Sequence, residues 1–253
     1  LASEADYQVN GILARARIIQ HFINPYDEWQ EGIYVFPLPE TAAVDTLVMR
    51  IGDRVIEGKI KQRTLARIEY EEASAAGQQA TLVNQERPNI FTASVANIAP
   101  SASISIEIEY QHKVDVYDSK YSLRLPLVVG PRYVPLKPVL ALINNEPGVF
   151  LAPAVEDADR ITPPVRKPSE GSINPVHLIV TLAPGFPLGT IDSSSHKLDI
   201  IPRQDGSYRI TSAEGVIPTD RDFELTWTPE RDTTPHVSVF KEQIDGEVYL
   251  LGM

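Results

Sequence analysis

A single helix in a chain of strands is the feature that most constrains this fold. Residues 61–76 are rich in helix formers, with Ala66, Tyr70 and two later alanines three or four residues apart, which indicates one buried helix face. Gly77 follows directly, and glycine ends helices here because it readily adopts the left-handed conformation. Residues 81–98 then alternate in the manner of strands. The sequence therefore predicts a mainly β fold with one helix packed across a sheet.

Alternating side chains predict two hairpins before the helix. Residues 7–23 form a long strand region, with a bulge expected near Ile19 because the parity of the apolar side chains changes there. Turn residues follow, and residues 32–36 form the predicted return strand. Residues 43–51 and 54–57 form a second hairpin around a Gly-Asp turn. Together with later alternating runs, these strands predict a β-sandwich that carries the helix on an edge or face.

Composition divides the chain into three parts. We assign residues 1–135 to the first β domain and residues 136–171, which are dense in proline, to a linker with polyproline II character. Within this linker, residues 139–143 are apolar enough to form a strand. Residues 172–253 contain five or six short strands, including a hairpin turn at Asp205. This last part is predicted to be a second β-sandwich-like region.

Charge and residue usage exclude several functional classes. The net charge is −11 without a cluster of Lys or Arg, which argues against nucleic-acid binding and against attraction to anionic membranes. No apolar run approaches the roughly 20 residues that span a bilayer, so no membrane insertion is expected. The absence of cysteine excludes disulfides and thiolate sites. Because the chain starts with Leu1 rather than Met, we expect a processed or excised piece.

Several segments, in a fixed order, carry a family resemblance. They are residues 17–18, 22–25, 34–39, 44–49, 51–58, 66, 70–71, 73, 77, 82, 86–91 and 97–98. Over residues 7–134, roughly, the chain resembles the VIT domain of vault proteins and inter-alpha-trypsin inhibitor heavy chains. Within the family, these motifs most resemble those of bacterial members described as marine proteobacterial sortase target proteins.

The resemblance implies a setting for this chain. In the family a VIT domain typically precedes a von Willebrand factor A domain, so the expected partner is an A domain of the same polypeptide, located beyond Met253. The bacterial branch implies an exported, extracellular protein fixed at the cell surface. The expected function is a noncatalytic scaffold module for that A domain in adhesion or protein-protein interaction, with an extracellular protein or glycan as unknown ligand.

Motifs that would carry catalysis or bind a metal are not found. The chain has no Gly-x-Ser-x-Gly elbow, His-Glu-x-x-His helix or phosphate-binding glycine loop, and its five histidines are scattered. Residues 192–196 resemble an Asp-x-Ser-x-Ser metal motif but end in His196, so we expect a loop. Two further carboxylate pairs, Asp157 with Asp159 and Asp220 with Asp222, lack the twelve-residue pattern of a calcium loop. We therefore predict no enzyme activity, no cofactor and no metal.

An alternative function is carbohydrate binding, because aromatic faces stack on sugars. The candidate binding residues are Tyr26, Trp29, Tyr133 and Trp227, with Tyr34 as a further aromatic. Exposure of these rings on a concave surface favours this alternative, and burial of Trp29 and Trp227 counts against it. An enzyme is the third hypothesis, and it requires a cleft with convergent carboxylates that the sequence does not indicate.

Overall fold

The computed structural model describes residues 2–51, 54–58, 63–78, 80–87, 89–128, 136–143, 146–153, 174–230 and 237–252. Within these residues the chain forms one α-helix, α1 (Arg63–Ala75), and a series of β-strands. The strands are β1 (Ala2–Asn10), β2 (Leu13–Ile23), β3 (Gln30–Pro37), β4 (Ala43–Ile51), β5 (Arg54–Glu57), β6 (Ala80–Arg87), β7 (Ile90–Ile98), β8 (Ser103–Lys113), β9 (Asp115–Tyr117), β10 (Lys120–Leu125), β11 (Leu136–Ile143), β12 (Glu146–Pro153), β13 (Val176–Ala183), β14 (Leu188–Asp192), β15 (Leu198–Pro202), β16 (Tyr208–Ser212), β17 (Phe223–Pro229), β18 (Val239–Ile244) and β19 (Glu247–Gly252).

Three sheets build the body of the structure. The main sheet has eight strands in the order β15-β16-β13-β1-β2-β8-β4-β5. A three-stranded sheet has the order β3-β7-β6, and a four-stranded sheet has the order β14-β17-β10-β9. The remaining strands form two separate hairpins, β11-β12 and β18-β19. The predicted mainly β, sandwich-like fold is confirmed.

One hydrophobic core joins these three sheets. The main sheet contributes alternate residues such as Tyr7, Ile106 and Val180, because successive side chains of a strand point to opposite faces. The three-stranded sheet adds Phe91, and the four-stranded sheet adds Trp227 to the same cluster. The core therefore lies between the main sheet and the two smaller sheets.

Helix α1 packs beside β6, at the edge of the three-stranded sheet. The helix ends at Ala75, and Gly77 terminates it as predicted, with a φ of +71°. The Gly77 N–H donates to the Ser74 carbonyl, and the Gln78 N–H donates to the Ala73 carbonyl. The side chain of Asn97, from β7, donates to the carbonyls of Ser74 (3.1 Å) and Gln78 (2.7 Å). These bonds fix the helix end to the sheet. Helix α1, the one helix in the described residues, is not long and apolar enough to cross a membrane.

The first two strands correct one sequence prediction. The predicted single strand over residues 7–23 is a hairpin of β1 and β2 that turns at Gly11, where φ is 58°. β2 pairs with β1 and with β8 without a register shift, so the predicted bulge near Ile19 is wrong. The parity of apolar residues changes because the polar Gln20 takes the buried position and His21 faces solvent.

The first predicted hairpin is also wrong, because its second strand pairs with a different strand. β3 does not return beside β2 but pairs with β7, so residues 24–29 cross from the main sheet to the three-stranded sheet. The second predicted hairpin is confirmed as β4 and β5, although its turn, residues 52–53, lies outside the described residues. Local alternation identifies a strand but does not choose its neighbour.

Strands from the predicted second region complete the sheets of the first. β13 runs parallel to β1 over eight residue pairs, from Ser3 with Val176 to Asn10 with Ala183. β17 is antiparallel to β10, where Leu125 faces Phe223. Residues 1–135 and 172–253 thus do not form two separate sandwiches; they share two sheets and one core.

Part of the predicted linker is a hairpin. β11 and β12 pair in antiparallel register from Leu136 with Pro153 to Ile143 with Glu146. The expected strand over residues 139–143 is confirmed, and the expected polyproline II character is wrong for these paired residues. Residues 154–173, the rest of the proline-rich segment, lie outside the described residues.

Candidate interaction surfaces

The C-terminal hairpin, β18 with β19, exposes a group of large apolar side chains. Among them Leu250 is 68% exposed. The full group is Val237, Val239, Ile244, Val248, Tyr249 and Leu250. Several large apolar side chains exposed on one short element are typical of a contact site.

Both faces of this hairpin carry apolar residues. The register places Leu250 opposite Lys241 and Val248 opposite Gln243 on one face, while Tyr249 lies on the other. Within the described residues neither strand pairs with a third strand. An isolated two-stranded hairpin is only marginally stable in water. The hairpin therefore presents both unpaired strand edges and apolar faces to a partner.

The hairpin and the residue before it contact the sandwich at Gly185. The Ser238 hydroxyl donates a hydrogen bond to the Gly185 carbonyl. A side chain at Gly185 would come within 2.7 Å of the Phe240 ring, and this glycine has a φ of +83°. Only glycine suits this position, because any other side chain would be strained at this φ and its Cβ would clash with Phe240 and Ser238.

A second exposed surface, residues 23–31, consists of the loop between β2 and β3 and the adjoining strand ends, and is here called the aromatic loop. Asn24 is buried in this loop, and its Nδ2 donates to the carbonyls of Glu28 (2.9 Å), Ile98 (3.2 Å) and Ala99 (3.0 Å). Its Oδ1 accepts the Tyr26 N–H at 3.0 Å. One buried amide thus closes the loop on itself and fastens it to the end of β7.

Two predicted binding aromatics, Tyr26 and Trp29, lie on this loop and are 62% and 63% exposed. Tyr133 and the side chain of Tyr34 lie outside the part of the chain that the structure describes. The loop therefore presents two of the four candidate rings to solvent. Their use as a ligand contact stays a prediction.

Trp227 does not contribute to that surface. Its ring is 0% exposed and stacks on Tyr121, with ring centroids 5.7 Å apart. It shares its strand parity with Phe223 and Leu225, which are also buried. A ring without exposed surface cannot stack on a sugar, so Trp227 is a core residue and its assignment to a binding surface needs correction.

A cavity of about 750 Å³ lies between β4, β5, β6 and the helix. Its wall is mainly apolar, with Leu47, Met49 and Leu82 among the lining side chains, and Tyr70 approaches from α1. Burial first, and then the charge of Glu31, raise the pKa of Tyr70. The helix therefore covers this opening of the sandwich without filling it.

The outer face of the main sheet carries a ladder of ion pairs. Glu107 is 5% exposed and binds Arg17 (2.5 Å) and Arg50 (2.6 Å), one on each neighbouring strand. Hydrogen bonds from Arg17 and then Arg50 hold the pKa of Glu107 below its usual range. Arg15 likewise joins Asp45 (3.1 Å) to Glu109 (2.6 Å). These ion pairs neutralise the charged side chains and link β2, β8 and β4.

The carboxylates considered as calcium ligands have other partners. Asp222 binds Arg124 and also accepts the Leu127 N–H at 3.0 Å, and Asp220 binds Arg221 at 3.0 Å. Asp157 and Asp159 lie outside the described residues. Within the described residues no group of three or more His, Asp or Glu side chains has metal-binding geometry.

Within the segment 192–196, Asp192 is the last residue of β14, and residues 193–196 lie in the loop to β15, as predicted. The Ser195 hydroxyl lies 2.8 Å from His196 Nδ1, and it accepts the Glu224 N–H at 3.3 Å. The His196 ring packs on Phe223, with centroids 5.7 Å apart. These contacts make the serines and His196 part of the loop's own packing.

Three polar rings meet inside the core. The hydroxyls of Tyr7 and Tyr110 form a hydrogen bond, and the His112 ring lies 5.8 Å from Tyr110 and 6.3 Å from Tyr7. Burial raises the pKa of both tyrosines and lowers the pKa of His112. Among the described residues, His112 Nε2 has no hydrogen-bond partner. A neutral imidazole is therefore held in the core.

This buried histidine predicts a pH dependence of stability. The unfolded chain takes up a proton at His112 near pH 6.5, whereas the folded chain does so only at lower pH. The free energy of unfolding is expected to fall as the pH drops from about 7 to 5, and urea titrations at several pH values measure it. Glu107 affects stability at lower pH. Because its pKa is lowered in the folded chain, the stability that it adds is lost as the pH falls through about 4.

The variant His112→Gln should lose most of that slope between about pH 7 and 5. The slope that remains belongs to His196, whose pKa burial also lowers. A variant with the full wild-type slope would show that His112 is not the group responsible.

Comparison with known proteins finds a family model that matches the first part of this structure. Residues 2–110 match the model of the Vault protein inter-alpha-trypsin domain, or VIT. These residues hold β1 to β7, helix α1 and most of β8. The match therefore includes the aromatic loop and excludes the C-terminal hairpin.

Three relatives illustrate the range of similar proteins. The mouse protein mono-ADP-ribosyltransferase PARP4 is 33% identical over 49% of this chain and 6% of its own length. The rat von Willebrand factor A domain-containing protein 5A is 28% identical over 49% of this chain and 16% of its own length. The inter-alpha-trypsin inhibitor heavy chain H3 of Pongo abelii is 25% identical over 49% of this chain and 14% of its own length.

The region that this chain shares with these relatives is a small part of each of them. These relatives are eukaryotic proteins, so the bacterial origin and the sortase-target likeness stay predictions. The chain thus matches the VIT model over residues 2–110 and is similar in its sequence to proteins named for von Willebrand A domains and inter-alpha-trypsin inhibitor heavy chains.

Proposed function

We propose that this chain is a noncatalytic scaffold module that holds a von Willebrand A domain of the same polypeptide through the C-terminal hairpin. The observation that carries the proposal is the exposed apolar hairpin, β18 with β19, joined to the same sandwich that contains the VIT domain. Similarity to proteins named for von Willebrand A domains supports the choice of partner.

The hairpin suits a permanent contact within one polypeptide. Burying one Val or Leu side chain contributes about 1.5–3 kcal/mol, and this hairpin offers several such side chains, including Val239, Val248 and Leu250. A domain in the same polypeptide loses less translational entropy on docking than a separate molecule does on binding. The sandwich then acts as a rigid base, because its strands share one core.

The noncatalytic part of the proposal rests on how the perturbed groups are engaged. Tyr7, Tyr110 and His112 have shifted pKa values but are enclosed in the core. The shifted carboxyls Asp45 and Glu107 are bound by arginines on the sheet surface. Both sets are explained by folding and do not converge on a cleft.

We further propose that the module works outside the cell, as part of an exported, surface-anchored protein in adhesion. The resemblance to sortase target proteins motivates this, and the complete absence of cysteine is compatible with it. Antibody labelling of intact source cells, compared with permeabilised cells, tests the location. Labelling only after permeabilisation would contradict it.

The hairpin proposal predicts the effect of one substitution. The chain is immobilised, and the separately produced A domain of the rat relative is passed over it. Leu250→Glu should weaken binding about tenfold, because a charge replaces an exposed apolar contact without disturbing the core. The matched control Ile201→Glu, on exposed strand β15, should bind like the parent chain. Equal binding by the Leu250 variant would contradict the hairpin as the interface.

A further inference from the structure

We propose that the aromatic loop is a second interaction surface, which binds a basic segment of a partner protein through lysine or arginine side chains. The surface consists of residues 23–31 and shares no residue with the C-terminal hairpin. The inference therefore stands independently of the proposed A-domain contact. The charge, exposure and rigidity of this loop indicate the kind of partner that it binds.

The charge of the loop selects a cationic partner. Asp27, Glu28 and Glu31 are exposed within residues 23–31, and this segment contains no Lys or Arg. The neighbouring turn, residues 99–102, adds no charge of either sign. The chain as a whole carries −11, so its long-range field also attracts basic partners. An acidic or nucleic-acid partner would be repelled.

The aromatic rings add attraction of the same kind. Tyr26 and Trp29 expose their rings on either side of Asp27 and Glu28 in the sequence. A lysine or arginine cation is attracted to the face of Trp or Tyr, and nearby carboxylates add a direct ion pair. Trp and Tyr are also the residues that dominate protein interfaces energetically. The aliphatic side chain of Ile23, also exposed, offers contact to the stem of a lysine.

The loop is held in place before any partner arrives. Asn24 makes four hydrogen bonds that join residues 26, 28, 98 and 99, and its own N–H donates to the Ala102 carbonyl at 3.0 Å. A loop fixed in this way loses little conformational freedom on binding. The bonds of Asn24 therefore hold the segment that carries Tyr26 and Trp29 in one conformation on the sheet.

The two tryptophans give a direct test, because only one is exposed. The full chain, labelled with ¹⁵N, is titrated with a short peptide of alternating lysine and glycine, and the two indole N–H signals are followed by NMR. The Trp29 signal is expected to shift with saturation, while the signal of the buried Trp227 stays in place. A peptide with glutamate in place of lysine should have no effect.

Charge variants locate the binding. The double variant Asp27→Asn with Glu28→Gln should weaken binding of the lysine peptide about tenfold. The control Asp199→Asn with Glu214→Gln removes the same charge from exposed positions elsewhere and should bind about as well as the parent. Raising the salt from about 50 to 300 mM should weaken binding by the parent chain, because it screens exposed charges.

Three results would overturn the inference. The first is a Trp29 signal that no lysine peptide moves. The second is equal weakening by the two double variants, which would show attraction to net charge alone. The third is a Trp29 signal moved by neutral oligosaccharides and not by the peptide, which would assign the loop to carbohydrate binding instead.

Discussion

Trp227→Ala is expected to lower the free energy of unfolding by about 3–5 kcal/mol, the range for removing a large aromatic side chain from a core. The ring is fully buried, stacks on Tyr121 and faces Ile191 on the neighbouring strand β14. Since Trp227 belongs to β17 and Tyr121 to β10, the cavity would open between the two regions of the sequence. Urea unfolding followed by circular dichroism measures the loss.

The control for this prediction is Trp29→Ala, which removes the same side chain from an exposed loop. It should change the free energy of unfolding by less than about 0.5 kcal/mol. In Trp227→Ala, Trp29 becomes the only tryptophan, so its fluorescence reports on the first region. Coincident fluorescence and dichroism transitions are expected, because both regions share a core. Two separate transitions would contradict that sharing.

Asn24→Ala is expected to cost about 1–3 kcal/mol, because it removes a buried amide that donates to three carbonyls and closes the aromatic loop. Asn24→Asp keeps the acceptor for the Tyr26 N–H but places an anion against the carbonyls of Glu28, Ile98 and Ala99. It should therefore be at least as destabilising. Thermal unfolding ranks the two variants against the parent.

Asn10→Ala, at an exposed position of β1, is the matched control for Asn24 and should be nearly neutral. The Asn24 variants should also be cut by a protease within residues 24–29 faster than the parent. An Asn24→Ala variant with parental stability and parental resistance to cleavage would show that the buried amide does not organise the loop.

Local patterns predicted the elements of this fold better than their pairing. Gly77 ends the helix, and β8 alternates as expected, because both features depend on residues close in sequence. The turn at Gly11 was missed, although glycine is the residue that most readily adopts the positive φ found there. The parallel pairing of β1 with β13 joins residues more than 170 positions apart, as Ser3 and Val176 show. No local pattern specifies such a partner.

The candidate surfaces were predicted only in part. Tyr26 and Trp29 were identified as aromatics, but the anchoring role of Asn24 depends on carbonyls from β7 that sequence spacing does not place. The parity of Trp227 with Phe223 and Leu225 was the available signal for its burial. In the hairpin, consecutive apolar residues 248–251 indicate a strand with both faces to cover, which was the signal for its exposed surface.

Hydrogen–deuterium exchange tests the central claim of a docking hairpin most directly. The amides of the full chain are followed with and without the A domain of the rat relative. We predict slower exchange in β18 and β19 on addition of the domain, because contact buries the unpaired strand edges. The exposed edge strand β15 should exchange as before. Unchanged exchange in the hairpin, or protection confined to β15 and β16, would contradict the hairpin as the docking surface.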